Sequence, residues 1–209
     1  MPHDDFATEP VPGLPETPPK DELILWQGRP DTWALAKEAL AIHWVAGYFA
    51  LLAFWRVGVS AADIGWSAAL PHALPFLLLG VVALALILLV AWVQAKATVY
   101  TITTARVAMR VGAALTLTLN LPFAKIASAD LDVRKNGTGT IAITTKGDTR
   151  LSYLVLWPHV RPWKMNKTQP ALRAIPDAGT VARILADAAE THVSQPVIAT
   201  RAAAAVAAE

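Results

Sequence analysis

The chain has 209 residues, of which 55% are hydrophobic and only 16% are charged. An ordinary soluble domain carries about 25% charged residues, so this composition indicates that part of the chain lies in an apolar environment. Cysteine is absent, which excludes disulfides, thiolate metal sites and a cysteine nucleophile.

The N-terminal residues 1–22 are acidic and rich in proline. They lack the basic region and the apolar run of a secretory signal peptide, and we expect an extended, mostly unpacked segment. Residues 23–38 begin with an apolar run and a polar turn, after which Asp31 or Thr32 can cap a helix. We expect this second segment to lie at a membrane interface, because Trp26 and Trp33 suit the headgroup layer.

Two apolar stretches predict a pair of transmembrane helices. Residues 39–55 carry no formal charge apart from His43, and residues 74–95 carry none. A helix over residues 74–93 would be about 30 Å long, which is the thickness of the hydrocarbon core of a bilayer. Residues 56–73 are more polar and more broken, and we expect them to form a connector that does not span.

The distribution of basic residues predicts the orientation of this helical hairpin. Six basic residues flank the spans on the side of the termini: Lys20, Arg29, Lys37, Lys96, Arg106 and Arg110. The connector has only Arg56, so the positive-inside rule places both termini in the cytoplasm and the connector outside. Residues 96–209 carry a net charge of +7, which favours either contact with anionic lipids or a solubilising surface. The basic residues form no cluster with exposed aromatics, so we expect no nucleic-acid binding.

After Lys96 the hydrophobic period changes to two, which is typical of strands with one buried face. The alternating positions are Val107, Met109 and Val111; Leu115, Leu117, Leu119 and Leu121; Leu131 and Val133; Ile141 and Ile143; and Leu151, Tyr153 and Val155. The pair Asn136-Gly137 is a strong hairpin signal. Residues 96–191 are therefore predicted to form an antiparallel meander or barrel of about six strands, closed by an amphipathic helix over residues 179–191. We expect the Ala-rich residues 192–209 to be disordered.

No motif for catalysis or metal binding is present. The five histidines are far apart in the sequence, and neither an HExxH spacing nor a GxSxG elbow occurs. We expect a protein that is not an enzyme and that binds no cofactor. His43 offers one alternative, because Ala39 precedes it by one helical turn and would let a tetrapyrrole approach while the imidazole binds its metal. The other reading is a histidine near the membrane interface, bonded to water, headgroups or a neighbouring helix.

The segment 156–164 (LWPHVRPWK) combines two prolines, two tryptophans and three groups that can be cationic. Tryptophan and arginine are favoured anchors at interfaces, so the segment could be a docking loop. It could equally be a rigid connection between a strand and a helix. We expect Trp157 to lie in the core and Arg161 and Trp163 to be exposed.

Several segments resemble known bacterial proteins. Residues 21–31 (DELILWQGRPD), 100–112 (YTITTARVAMRVG) and 121–126 (LPFAKI) resemble membrane-anchored proteins with a pleckstrin-homology-like (PH-like) domain. Residues 3–6 (HDDF) and 156–163 (LWPHVRPW) are similar to photosynthetic-complex assembly proteins of purple bacteria. The resemblance covers nearly the whole chain except the connector and the C-terminal tail.

This resemblance implies a two-helix membrane hairpin followed by an α+β cytoplasmic PH-like β-barrel that a C-terminal helix closes. It implies an integral protein of the inner (intracytoplasmic) membrane that assists assembly of the photosynthetic reaction centre and its core light-harvesting antenna, without catalysis. The implied partners are membrane lipids and, transiently, reaction-centre or antenna polypeptides; the chain could also form a homodimer. Candidate partner-binding residues are Trp26, Arg29, His159, Arg161 and Trp163.

Two alternatives stay open at this point. One is a membrane-anchored PH-like module that binds lipid or protein and has no photosynthetic role. The other is a bacteriochlorophyll-handling protein that uses His43. Phosphoinositide binding is not expected, because the first hairpin loop, residues 111–114 (VGAA), is apolar where lipid-binding PH-like domains carry basic residues.

Overall fold

The structure is a computed structural model that describes residues 10–112, 116–147 and 151–194. Its strands are β1 (Ile24–Gly28), β2 (Val99–Thr103), β3 (Arg106–Val111), β4 (Leu117–Pro122), β5 (Ile126–Val133), β6 (Gly139–Thr145) and β7 (Ala171–Ile175). Its helices are α1 (Thr32–Glu38), α2 (Ile42–Ile64), α3 (Trp66–Ala69), α4 (Leu74–Ala97), α5 (Tyr153–Leu156) and α6 (Ala178–Ser194).

The strands form two antiparallel sheets, in the orders β1-β2-β3-β4 and β5-β6-β7. Strands β3 and β6 lie where the alternation predicted them, but β3 is buried on both faces, since Ala108 and Arg110 are as inaccessible as Val107 and Met109. Gly137 turns the β5–β6 hairpin with a φ of 82°. The prediction of a strand around Tyr153 was wrong, because that residue begins the short helix α5. The PH-like antiparallel arrangement is present, whereas closure into one barrel stays a prediction, since the pairings form two separate sheets.

The core lies between the two sheets and the C-terminal helix. Residues from every strand of the second sheet and from β2, β3 and β4 meet there, and the aromatic ring of Tyr100 is fully buried. The amphipathic helix predicted over residues 179–191 is confirmed as α6, whose buried face includes Val181, Leu185 and Ala188. Helix α6 continues to Ser194, past residue 192, where the disordered tail was predicted to begin. Residues 195–209 lie outside the described residues.

The first part of the segment predicted to lie at the membrane interface belongs instead to the domain sheet. Residues 24–28 form β1 and pair with β2. Asp31 accepts a hydrogen bond from the Ala34 amide at 2.7 Å and so caps α1, whose residues Ala34, Leu35 and Ala36 are buried. Residues 10–22, the described part of the segment expected to be mostly unpacked, are largely exposed, with a few packed exceptions. Leu14 is buried, and Glu22 pairs with Arg106 at 2.8 Å.

Two helices, α2 and the run from α3 to α4, are long and apolar enough to cross a membrane. The first predicted span was too short, because α2 continues past Arg56 until Gly65, where φ reaches 78°. The predicted connector therefore shrinks to the short turns before Leu74. The two long helices touch at Gly80, where an added Cβ would lie 3.0 Å from the Phe49 side chain.

The hairpin joins the domain almost without a linker. Only Thr98 separates α4 from β2, and α1 packs against the last turns of α4 through Ala34 and Ala95. On the other side, α1 leads into α2 through Ala41, whose φ is 52°. Both connections are short and packed, so the position of the domain relative to the hairpin is fixed by buried contacts.

Candidate functional site

A buried polar network connects the end of α4 to the domain. The imidazole of His159 lies 3.0 Å from Thr98 Oγ1 through Nε2 and 2.6 Å from Tyr100 Oη through Nδ1. The backbone amide of Arg173 donates to the same tyrosine oxygen at 3.2 Å. The Arg173 guanidinium donates to the Pro158 carbonyl at 3.2 Å and to the Glu38 carbonyl at 2.7 Å. The network thus joins α1, α4, β2 and β7.

Burial determines the protonation states in this network. Loss of solvent, helped by the nearby charge of Arg173, lowers the pKa of His159 to about 3. Burial also raises the pKa of Tyr100 above its ordinary value and lowers that of Arg173. A neutral imidazole that donates from Nε2 to Thr98 and accepts at Nδ1 from Tyr100 satisfies all of these hydrogen bonds. These buried hydrogen bonds make the network a structural clamp between the hairpin and the domain; Arg173 Nε alone among its buried side-chain polar atoms has no hydrogen-bond partner in the part of the chain that the structure describes.

A surface loop extends from this clamp, and we call it the Trp loop (residues 153–167). A short ribbon closes its base: Val160 pairs with Pro170, and the Arg161 amide donates to the Gln169 carbonyl at 2.9 Å. Its exposed large apolar residues are Leu154, Val155, Trp157, Trp163 and Met165, with Trp163 89% and Leu154 85% exposed. Such a cluster is typical of an interaction surface.

The structure separates the candidate residues of this loop. Trp163 is exposed as predicted, whereas Trp157 is 41% exposed and does not lie in the core as expected. Arg161 is half-buried, and its guanidinium donates to Asp130 at 2.6 Å. The prediction that His159 binds a partner was wrong, because its side chain is fully buried and both ring nitrogens are used within the clamp.

The other candidates lie elsewhere. Trp26 packs, partly buried, against the domain core, so its predicted place at the membrane interface was wrong. Arg29 is exposed just after β1. His43 is exposed on the first turn of α2. Ala39, the small residue expected one turn before it, lies outside that helix, because the chain turns at Ala41. The local geometry proposed for tetrapyrrole binding is therefore not present.

An apolar groove was not predicted from the sequence. It lies between β5 and α6 and has a volume of about 610 Å³. Its lining includes Phe123, Ile126, Leu131, Leu185 and Ala189, with Lys146 and Glu190 at its margin. Because β5 is the outer strand of its sheet, its unpaired edge borders this groove. No group of three or more potential metal ligands occurs among the residues described here.

Comparison with known proteins identifies the architecture. The bacterial PH domain family matches residues 40–189, which is more than half of the chain. The chain belongs to the bacterial PH domain family. The matched range includes both long helices, strands β2 to β7 and most of α6, whereas β1 and α1 lie before it.

A relative in Rhodobacter capsulatus, described as an uncharacterized 23.7 kDa protein in the puhA 5' region, is 47% identical to this chain over 196 residues. The alignment covers 93% of this chain and 92% of the relative. No solved structure matches this member of the bacterial PH domain family.

In this bacterial PH domain protein, the apolar first hairpin loop, residues 111–114, was the reason to expect no phosphoinositide binding. Residues 113–115 of that loop lie outside the described residues. The surfaces that the structure does offer are the Trp loop and the groove between β5 and α6.

Proposed function

We propose that this protein is a membrane-anchored assembly factor of the PuhB type, which assists assembly of the photosynthetic reaction centre with its core antenna. The observation that carries the proposal is the 47% identical relative, whose gene lies in the 5' region of the photosynthesis gene puhA. The action is by protein contact and involves no catalysis. The protein would lie in the inner (intracytoplasmic) membrane, with both termini in the cytoplasm.

The hairpin supplies a surface for transient contact with partner helices. An added Cβ at Gly47 or Gly58 of α2 would meet nothing within 4 Å. These residues are eleven positions apart, so they lie on the same side of the helix. Phe54, between them, is 69% exposed. Close approach of a second helix at small residues is a common way in which membrane helices associate.

The domain adds a second contact region on the cytoplasmic side. The groove between β5 and α6 is apolar and borders an unpaired strand edge, which suits an extended segment of a partner. A groove of this kind offers only a small contact area. A factor that must release its client needs such weak interfaces rather than large obligate ones. The domain and the hairpin together would hold a partner at the membrane surface.

A deletion strain tests the proposal. Loss of this protein should reduce reaction-centre and core-antenna levels in membranes while their messenger RNAs stay at normal levels, and expression of the intact chain should restore them. Normal levels of both complexes in the deletion strain would refute the assembly role. That outcome would favour a PH-like module without a photosynthetic role.

A further inference from the structure

The Trp loop lies where the two long helices join the domain. His159, within the loop, bonds to Thr98, the first residue after α4. Arg173 links the Pro158 carbonyl to the carbonyl of Glu38, at the end of the helix that leads into α2. Because these contacts are buried, the loop is held at this end of the domain and cannot swing to the opposite end.

Two tryptophan–lysine pairs lie near the junction between the hairpin and the domain, one in the last turns of α4 and one in α1, which packs against them. Lys96 Nζ lies 4.5 Å from the centroid of the Trp92 ring, and Lys37 Nζ lies 5.1 Å from that of Trp33. The indole rings are about half exposed. Tryptophan and lysine together at the end of an apolar helix are typical of the headgroup layer of a membrane. The Trp loop is thus held next to the predicted membrane boundary.

The chemistry of the loop suits that layer. Its five exposed apolar side chains are accompanied by Lys164 and Lys167, which are also exposed. Trp163, the most exposed of them, has a φ of 63°, a conformation that is uncommon for an aromatic residue. Residues held in such conformations are concentrated at functional segments. An indole at 89% exposure gains most from a surface that accepts an apolar ring and leaves its N–H in water.

We propose that the Trp loop inserts its apolar side chains into the headgroup layer of the bilayer that holds the hairpin, with Lys164 and Lys167 at anionic lipids. The occupant of this surface is lipid rather than protein, because buried contacts hold the loop at the domain end of the hairpin and the loop carries two cations. Because the domain is fixed to the hairpin, docking of the loop would set the tilt of the whole molecule and so the height of the groove above the membrane. The inference rests on membrane insertion of the hairpin in the proposed function and not on its photosynthetic role.

Single-cysteine labelling tests the inference on the full chain, since the sequence has no cysteine of its own. An environment-sensitive fluorophore is placed at Asn166→Cys, which leaves Trp163 and both lysines intact. The matched control is Ala124→Cys, an exposed residue just after β4, at the opposite end of the sheets from Thr98. The labelled proteins are incorporated into lipid nanodiscs with and without phosphatidylglycerol, and quenching by lipids with a nitroxide near the glycerol is measured.

We expect a blue shift and strong quenching at Asn166→Cys and neither at Ala124→Cys. Adding Trp163→Ala and Met165→Ala should remove most of the quenching. Replacing Lys164 and Lys167 by glutamine should lower the docking constant in anionic discs roughly 30-fold at low salt, from about fivefold per basic residue, and should reduce its dependence on salt.

Three outcomes would overturn the inference. The fluorophore at Asn166→Cys could remain in water in every lipid mixture. It could become buried only when reaction-centre or antenna polypeptides are added, which would make the Trp loop a protein-binding surface. Quenching could also be equal at both sites. A third fluorophore at Leu86→Cys, quenched by a nitroxide at the bilayer centre, verifies insertion of the hairpin. If a deletion strain had normal photosynthetic complexes, the proposed function would fail, but these labelling results would not change.

Discussion

Because the imidazole of His159 is buried, we predict that the domain becomes less stable as the pH is lowered. Burial lowers its pKa from 6.5 to about 3 in the folded state. Below pH 6.5 the unfolded chain binds a proton that the folded chain does not, so the free energy of unfolding decreases as the pH falls toward 3. Above pH 6.5 the imidazole is neutral in both states and contributes no slope.

The expected slope is on the order of 1 kcal/mol per pH unit, or roughly 1.5 kcal/mol between pH 6.5 and about 5. His159→Asn removes the ionisable group and should remove this part of the slope. At neutral pH the same variant should be less stable by about 1–3 kcal/mol, because the hydroxyl groups of Thr98 and Tyr100 lose their partner in a buried site.

The assay is urea unfolding of the full chain in a non-ionic detergent, followed by hydrogen exchange of the strands at several pH values. His192→Asn is the matched control, because it removes a histidine that is only partly buried near the end of α6. It should keep the wild-type slope. A wild-type slope between pH 5 and 6.5 no steeper than that of His159→Asn would refute the assignment of a neutral, buried imidazole.

Five further variants test the packing and one surface ion pair. Gly80→Leu should destabilise the hairpin by about 1–3 kcal/mol, since Phe49 occupies the space of the new side chain. Gly47→Leu should leave the melting temperature in detergent unchanged, because its added side chain meets nothing in the hairpin, and should lower reaction-centre levels in cells. Leu185→Ala should cost about 2–5 kcal/mol of unfolding free energy in urea, against less than about 0.5 kcal/mol for the exposed Leu154→Ala; equal losses would contradict the assigned core. Arg161→Gln should lower the free energy of unfolding in urea by less than about 1 kcal/mol, because both partners of the Arg161–Asp130 pair are substantially exposed.

The elements that sequence patterns predicted well are those with one dominant signal. Length and uniform apolarity marked α4, alternation marked β3, and spacing of apolar residues marked α6. The predicted first span ended at residue 55 because the charge of Arg56 indicated the end of the apolar stretch, whereas α2 continues to Ile64. The long side chain of Arg56 is exposed on the helix surface, and an arginine near a helix end can extend its charge toward the interface. The backbone continues to Gly65, where a positive φ ends the helix.

The missed strands lack that kind of signal. Residues 24–28 read as an apolar run rather than an alternation, and their role depends on pairing with β2, far along the chain. Strand β7 follows Pro170 and contains a charged residue, Arg173, which is nevertheless buried. Only its contacts with backbone carbonyls from α1 and the Trp loop make that burial favourable.

The candidate site was predictable in composition but not in arrangement. The sequence identified the cluster of Trp157, His159, Arg161 and Trp163, and Trp163 is exposed as expected. It could not show that His159 points inward, because its partners Thr98 and Tyr100 lie about sixty residues earlier. The groove between β5 and α6 was not predicted for the same reason. The sequences of β5 and α6 show only ordinary strand and helix patterns, and the groove is created by the packing of one against the other.

The most direct test of the central proposal is site-specific photocrosslinking in cells that are assembling photosynthetic complexes. A photoreactive phenylalanine analogue replaces Phe54, which is exposed between Gly47 and Gly58 on α2. The control position is Phe49, which contacts Gly80 inside the hairpin. The proposal predicts crosslinks from position 54 to newly made reaction-centre or core-antenna polypeptides, declining once assembly is complete, and none from position 49. Crosslinks from position 54 to lipid alone throughout assembly would contradict it.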